Sequence, residues 1–71
     1  MFLLGPKLKA ARKAKGLRQE DVARMIGVSR TAYTKYETEA ASPSYDVLHL
    51  LCQALEISPN YLLDYDENAE G

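Results

Sequence analysis

The sequence predicts an all-α fold, a compact domain of five short helices, and three observations predict it. Apolar residues recur at helical spacing, as in Val22, Ala23 and Ile26, and again in Val47, Leu48, Leu51, Ala54 and Leu55. Helix starts and stops bracket these stretches: Gly5-Pro6, Gly16, Gly27, Ser29, Ser44 and Ser58-Pro59. No segment alternates polar and apolar residues as a half-buried strand would. Seventy-one residues make one small domain, which buries only about 60 % of its unfolded surface and is modestly stable. A hydrophobic content of 46 % supports a packed core and argues against disorder.

The elements follow in order. Met1 to Gly5 reads as an apolar arm, too short for a signal peptide and with no basic stretch before it. Helix 1 is expected from about Pro6 to Lys15: proline suits the first helical position, Leu8 and Ala11 point inward, and Gly16 stops it. Helix 2 is expected from Gln19 to Met25, with Glu20 and Asp21 at its positive end, where the macrodipole favours acids. Gly27 can take the positive φ that ends a helix, Val28 can fill the corner, and Ser29 can cap helix 3 from Arg30 to Glu37. Ala23 is small enough for two helices to cross steeply beside it. A helix, a tight turn and a second helix make helix-turn-helix geometry, in which the second helix enters the major groove of DNA.

Thr38 to Pro43 reads as a loop. Ser44 caps helix 4, with Asp46 in its first turn. The apolar face of helix 4 is widened by Leu50 and Cys52, so it needs cover on more than one side, from other helices or from a second subunit. Ser58-Pro59 restarts the chain as helix 5 through Tyr61, Leu62 and Leu63. Residues 64–71 read as a frayed acidic tail. The organisation expected is an arm over 1–5, a domain over 6–63 and a tail over 64–71.

Helix 3 separates two jobs. At about 100° per residue, Tyr33 and Tyr36 fall on one side with Ala32, their rings inward and their hydroxyls near the edge. Arg30, Thr31, Thr34 and Lys35 cluster on the opposite arc. Arginine and lysine match the two acceptors of guanine, and threonine offers a hydroxyl and a methyl. A polar arc is ordinary for a surface helix, but this one lacks acids in a chain that has ten.

Charge is an independent pointer. Residues 1–36 hold all nine basic side chains and two acids, a net of +7, while residues 37–71 hold eight acids and no base, a net of −8. The overall −1 hides this asymmetry. A basic half suits a polyanion, and its continuation onto the helix 3 arc favours nucleic acid over a merely solvated face.

Other chemistry is thin. Asp46, His49 and Cys52 lie three apart on one helix but drift around it, and a metal would need a further ligand. His49 reads better as a surface residue and Cys52 as a small hydrophobe. No phosphate-cradling glycine loop or catalytic triad pattern is present, so no enzyme, cofactor or metal is expected. No apolar run approaches the roughly 20 residues of a membrane span, and a single cysteine fits a reducing cytoplasm. With no second domain in these residues, no small-molecule effector is expected.

Leu8 through Leu63 resembles the phage-repressor and Cro helix-turn-helix domains, the XRE family. The resemblance rests on Arg12, Gly16, Leu17, Gln19, Ala23, Gly27, Val28, Ser29, Tyr36, Glu37, Pro43, Leu48, Leu55, Leu62 and Leu63 in family order. It implies a cytoplasmic, prokaryotic or phage-encoded transcriptional regulator, repressor-like, binding double-stranded DNA. It implies that Gln19 bonds a phosphate and braces helix 3, and that Arg30, Thr31, Thr34 and Lys35 reach bases or nearby phosphates. It also implies that Arg12 and Glu37 form a partly buried ion pair.

Two departures bear on affinity. Arg18 stands where the family often has a serine or threonine cap, and serves instead as a candidate phosphate contact. The loop Thr38-Glu39-Ala40-Ala41-Ser42 has an acid and no cation, so phosphate contacts fall to Lys7, Lys9, Lys13, Arg18, Gln19, Ser29 and backbone N–H groups. A homodimer on a two-fold operator is expected, since one such domain alone gives limited affinity. Phe2-Leu3-Leu4, Leu50 and the end of helix 5 are candidate dimer surfaces unless they simply cap the core. The competing expectation is a protein-interaction module, such as an antitoxin or accessory subunit, whose acidic half binds a basic partner.

Overall fold

The computed structural model describes residues 4–58, 61 and 62. Among them are four helices: α1 (Leu4–Ala14), α2 (Gln19–Ile26), α3 (Arg30–Thr38) and α4 (Tyr45–Leu55), with no strand. The expected fifth helix lies largely outside the described residues. Within them Tyr61 and Leu62 are helical, and the Ser58 carbonyl and Oγ accept from the Tyr61 N–H at 3.1 and 3.2 Å.

The caps set the boundaries. Ser29 Oγ accepts from the Ala32 N–H at 3.1 Å and Ser44 Oγ from the Val47 N–H at 3.2 Å, opening α3 and α4. Gly27 closes α2 at φ 76°, and the Val28 N–H returns to the Ala23 carbonyl at 3.0 Å. Arg18 has no side-chain acceptor for α2, but the Asp21 carboxylate accepts from the Arg18 N–H at 2.8 Å, half of a reciprocal cap. That backbone bond, with the Arg18 guanidinium, holds the Asp21 carboxyl below the usual carboxylate range.

α1 differs from expectation at its start. It includes Leu4 and Gly5, so Pro6 is the third described residue of the helix, where a missing N–H leaves no intrahelical bond unmade. Gly5 is buried, and a Cβ there would lie 2.2 Å from the Glu37 carbonyl oxygen. α1 therefore meets the end of α3 backbone to backbone. The Gly5 N–H donates to Glu39 Oε2 at 3.0 Å, and Glu39, the residue that ends α3, sits at φ 65°.

α1 and α2 both pack on α3, and α2 also packs on α4. The core is Leu8, Ala11, Val22, Ala23, Ile26, Tyr33, Leu51, Cys52, Leu55 and Leu62. Cys52 belongs to this core, whereas Leu50 faces outward and is 40 % exposed. Tyr33 corrects one expectation. Its ring and hydroxyl are both buried, and Oη has no partner in hydrogen-bond geometry, although it lies near the Arg12 and Glu37 charges. Periodicity gives the side of a helix, not the depth. Burial pushes the Tyr33 phenol well above its ordinary range. Since Oη makes no aligned bond, Tyr33→Phe is expected to keep stability within about 1 kcal/mol, read by thermal melting. A loss twice that size would show a bonded hydroxyl.

Candidate nucleic-acid interface

The arc expected on helix 3 is assembled. Arg30, Thr31 and Lys35 are exposed on α3 and Thr34 is half-buried; with Gln19 from the first turn of α2 they line an open concavity of about 500 Å³. Arg30 and Lys35 form no ion pair among the described residues. The floor is built by a chain of bonds. Thr34 Oγ1 donates to Gln19 Oε1 at 3.0 Å, and Gln19 Nε2 donates to Glu37 Oε1 at 2.9 Å. Arg12 then donates through Nε to Glu37 Oε2 at 2.6 Å, through a second nitrogen to Oε1 at 3.3 Å, and through Nη1 to the Leu17 carbonyl at 2.9 Å.

Arg12 and Glu37 are thus a buried pair joining α1 to α3, and Gln19 extends it to α2. Burial works to raise the Glu37 carboxyl, but the bonds from Arg12 and Gln19 and the nearby Tyr33 hydroxyl outweigh it and hold the group low. The bond to Glu37 keeps the Arg12 guanidinium charged despite burial. Tyr33 and Tyr36 stack edge to face behind the arc, their centroids 6.4 Å apart.

The remaining candidate contacts lie outside the concavity. Lys9 and Lys13 are exposed on α1. The Lys7 ammonium sits 4.9 Å above the Tyr61 ring. Arg18 reaches Glu20 at 3.1 Å and Asp21 at 3.3 Å, so a phosphate would compete with two carboxylates for it. Ser29 spends one lone pair on the α3 cap and keeps its proton to donate.

Sequence reasoning missed two features. One is the Gly5–Glu39 clasp, which no local pattern signals. The other is the Arg18 ion pairing, which acids two and three residues ahead could have revealed. Asp46 and His49 are exposed while Cys52 is buried, its thiol pushed up by burial and away from thiolate reactivity. No cluster of three metal-ligating side chains occurs among the described residues, and no helix among them is long and apolar enough to cross a membrane.

Residues 8–62 match the model of a protein family described as "Helix-turn-helix". The chain belongs to this helix-turn-helix family. It is 39 % identical over 61 residues to YqaE, an uncharacterized HTH-type transcriptional regulator of Bacillus subtilis, spanning 86 % of this chain and 53 % of that one. It is 38 % identical over 64 residues to the repressor protein C2 of Salmonella phage P22, spanning 90 % of this chain and 30 % of that one. The chain therefore covers about half or less of the length of these two relatives. The crystal structure of the P22 C2 repressor in complex with a synthetic operator superposes with a TM-score of 0.85 at 36 % identity, covering 93 % of this chain and all of that one. The restriction-modification controller protein C.AhdI of Aeromonas hydrophila gives 0.79 at 34 % identity, covering 83 % and 89 %. The resemblance expected from Arg12 through Leu63 is the relationship found.

Proposed function

We propose that this chain is the DNA-binding domain of a repressor-like transcriptional regulator, which inserts α3 into the major groove of a specific double-stranded site. The observation that carries this reading is the concavity of Gln19, Arg30, Thr31, Thr34 and Lys35, an acid-free set of base-reading side chains on a braced helix. Arg30, Thr31, Thr34 and Lys35 contact bases or phosphates beside them. Gln19, Ser29, Lys7, Lys9, Lys13 and Arg18 hold the backbone, Arg18 only by exchanging a carboxylate for a phosphate. The solved P22 repressor–operator complex supports the docking mode.

Two copies bind a two-fold operator, because one small module gives limited affinity. Of the dimer surfaces considered, Leu4 is half-buried against the core, while Leu50 is exposed on α4 beside Tyr45. Phe2, Leu3 and most of the expected helix 5 lie outside the described residues. A second reading is favoured by one relative, the antitoxin PezA of Streptococcus pneumoniae, 32 % identical over 79 % of this chain. On it the acidic half binds a basic protein and DNA binding is secondary.

Selecting bound duplexes from a random pool at low salt, with the mass of the complex measured alongside, separates the two. The first reading expects an enriched two-fold site and two protomers, and no enrichment would transfer the case to the second. Arg30→Ala is expected to cost about 1–3 kcal/mol on the enriched site and to flatten one base position, measured by titration and repeated selection. Equal weakening on all duplexes would demote Arg30 to a phosphate contact.

A further inference from the structure

We propose that Thr34 presents itself to the major groove only as a hydrogen-bond acceptor, and so takes a bond from the exocyclic amino group of adenine or cytosine. The inference deepens the DNA-binding reading and rests on it.

The polarity follows from one buried charge. The Glu37 carboxylate, bound by the Arg12 guanidinium, has acceptor sites and no proton to give. The end of the Gln19 amide that lies 2.9 Å from it must therefore be the NH₂ group. That choice turns the amide oxygen toward Thr34 Oγ1, 3.0 Å away, and an amide oxygen also accepts only. The hydroxyl must supply its single proton there. What remains facing the concavity is lone pairs and a methyl group.

In the major groove guanine offers two acceptors and thymine one, whereas adenine and cytosine each carry an amino donor. An acceptor-only hydroxyl meets a keto oxygen lone pair to lone pair and meets an amino group as a bond. Arg30 and Lys35 carry donors alone and Thr31 keeps a hydroxyl that can do either, so Thr34 is the one member of the arc restricted to accepting. The Gln19 amide spends one of its two protons on Glu37 and keeps the other for a phosphate. The Arg12–Glu37 pair thus acts on base choice from the core, two hydrogen bonds away from the Thr34 hydroxyl that meets DNA.

The test uses the enriched site of the pool selection, with the unaltered chain, Thr34→Val and Thr34→Ser. The position that flattens in Thr34→Val marks the Thr34 contact, and Thr34→Ser, which keeps the hydroxyl, should leave it sharp. Two duplexes altered at that pair are then compared. One lacks the amino group (purine for adenine, or des-amino cytosine), and the other lacks the keto oxygen of the pairing base. Amino deletion should weaken the unaltered chain about fivefold more than it weakens Thr34→Val, the difference being one neutral hydrogen bond. Keto deletion, which breaks the same base-pair bond without touching the Thr34 contact, should change both chains equally. A loss confined to keto deletion in the unaltered chain overturns the proposal, as does a Thr34→Val selection identical to the original. No enriched site at all overturns the DNA-binding reading itself. If Thr34→Val does not fold, Thr34→Ala, which also removes the hydroxyl, marks the position and serves as the comparison chain.

Discussion

Glu37→Gln is expected to destabilise the fold by about 3 kcal/mol, because it leaves the buried Arg12 guanidinium without a counter-charge. For a domain of this size that lowers the melting temperature by roughly 12 °C or more. Arg12 and Glu37 are each 9 % exposed, and Arg12 would retain only the Leu17 carbonyl as a strong partner. The effect on sequence preference should be smaller and confined to the base pair under Thr34. Thermal melting of the variant beside pool selection checks both, and an unchanged melting temperature would remove Glu37 from its structural role.

The same substitution has a pH signature. The folded Glu37 carboxyl titrates below its unfolded value of 4.5, so its contribution is complete above about pH 4.5 and is lost as pH falls through the depressed folded value. The gap in melting temperature between parent and Glu37→Gln should therefore be flat near neutrality and close in acid. A gap of constant size down to pH 3 would show that the carboxyl is not held low. Asp21, also held low, is present in both proteins and cancels from the difference.

Gly5→Ala is expected to cost about 2 kcal/mol or more, against the usual direction. In an ordinary helix alanine is favoured over glycine by about 0.5–1 kcal/mol. Here the new methyl would stand 2.2 Å from the Glu37 carbonyl oxygen and 2.8 Å from its carbon. Both are backbone atoms that no rotamer change can move, so α1 must retreat from α3 at the cost of overpacking. The retreat would also stretch the Gly5–Glu39 bond and misalign Arg12 on Glu37. Thermal melting gives the sign, and a more stable variant would mean that α1 has room to spare.

Much of this molecule is written locally. Ser29 and Ser44 cap the helices that their positions announce, Gly27 makes the turn, and the Leu51–Leu55 face is buried. The residues of the candidate interface were legible because an arc on one helix needs only its period. What was not legible depends on meetings between elements distant in sequence. Gly5 reads as a helix-start signal, yet its lack of a side chain matters because of Glu37, far along the chain. Lys7 reads as a phosphate ligand from charge alone, but the fold sets Tyr61 beneath it. Glu39 reads as the acid of a loop without cations, whereas one of its oxygens is held by the α1 backbone.

The bonded floor of the concavity also decides where disorder is lost on association. Thr34 and Gln19 are already hydrogen-bonded to each other and to Glu37 before any duplex arrives, so they add little to the entropy penalty. Arg30 and Lys35, exposed and outside that floor, bear most of it, at about 0.5–1.5 kcal/mol for each side chain ordered. The proposed recognition surface is thus a hydrogen-bonded frame carrying two long, exposed side chains.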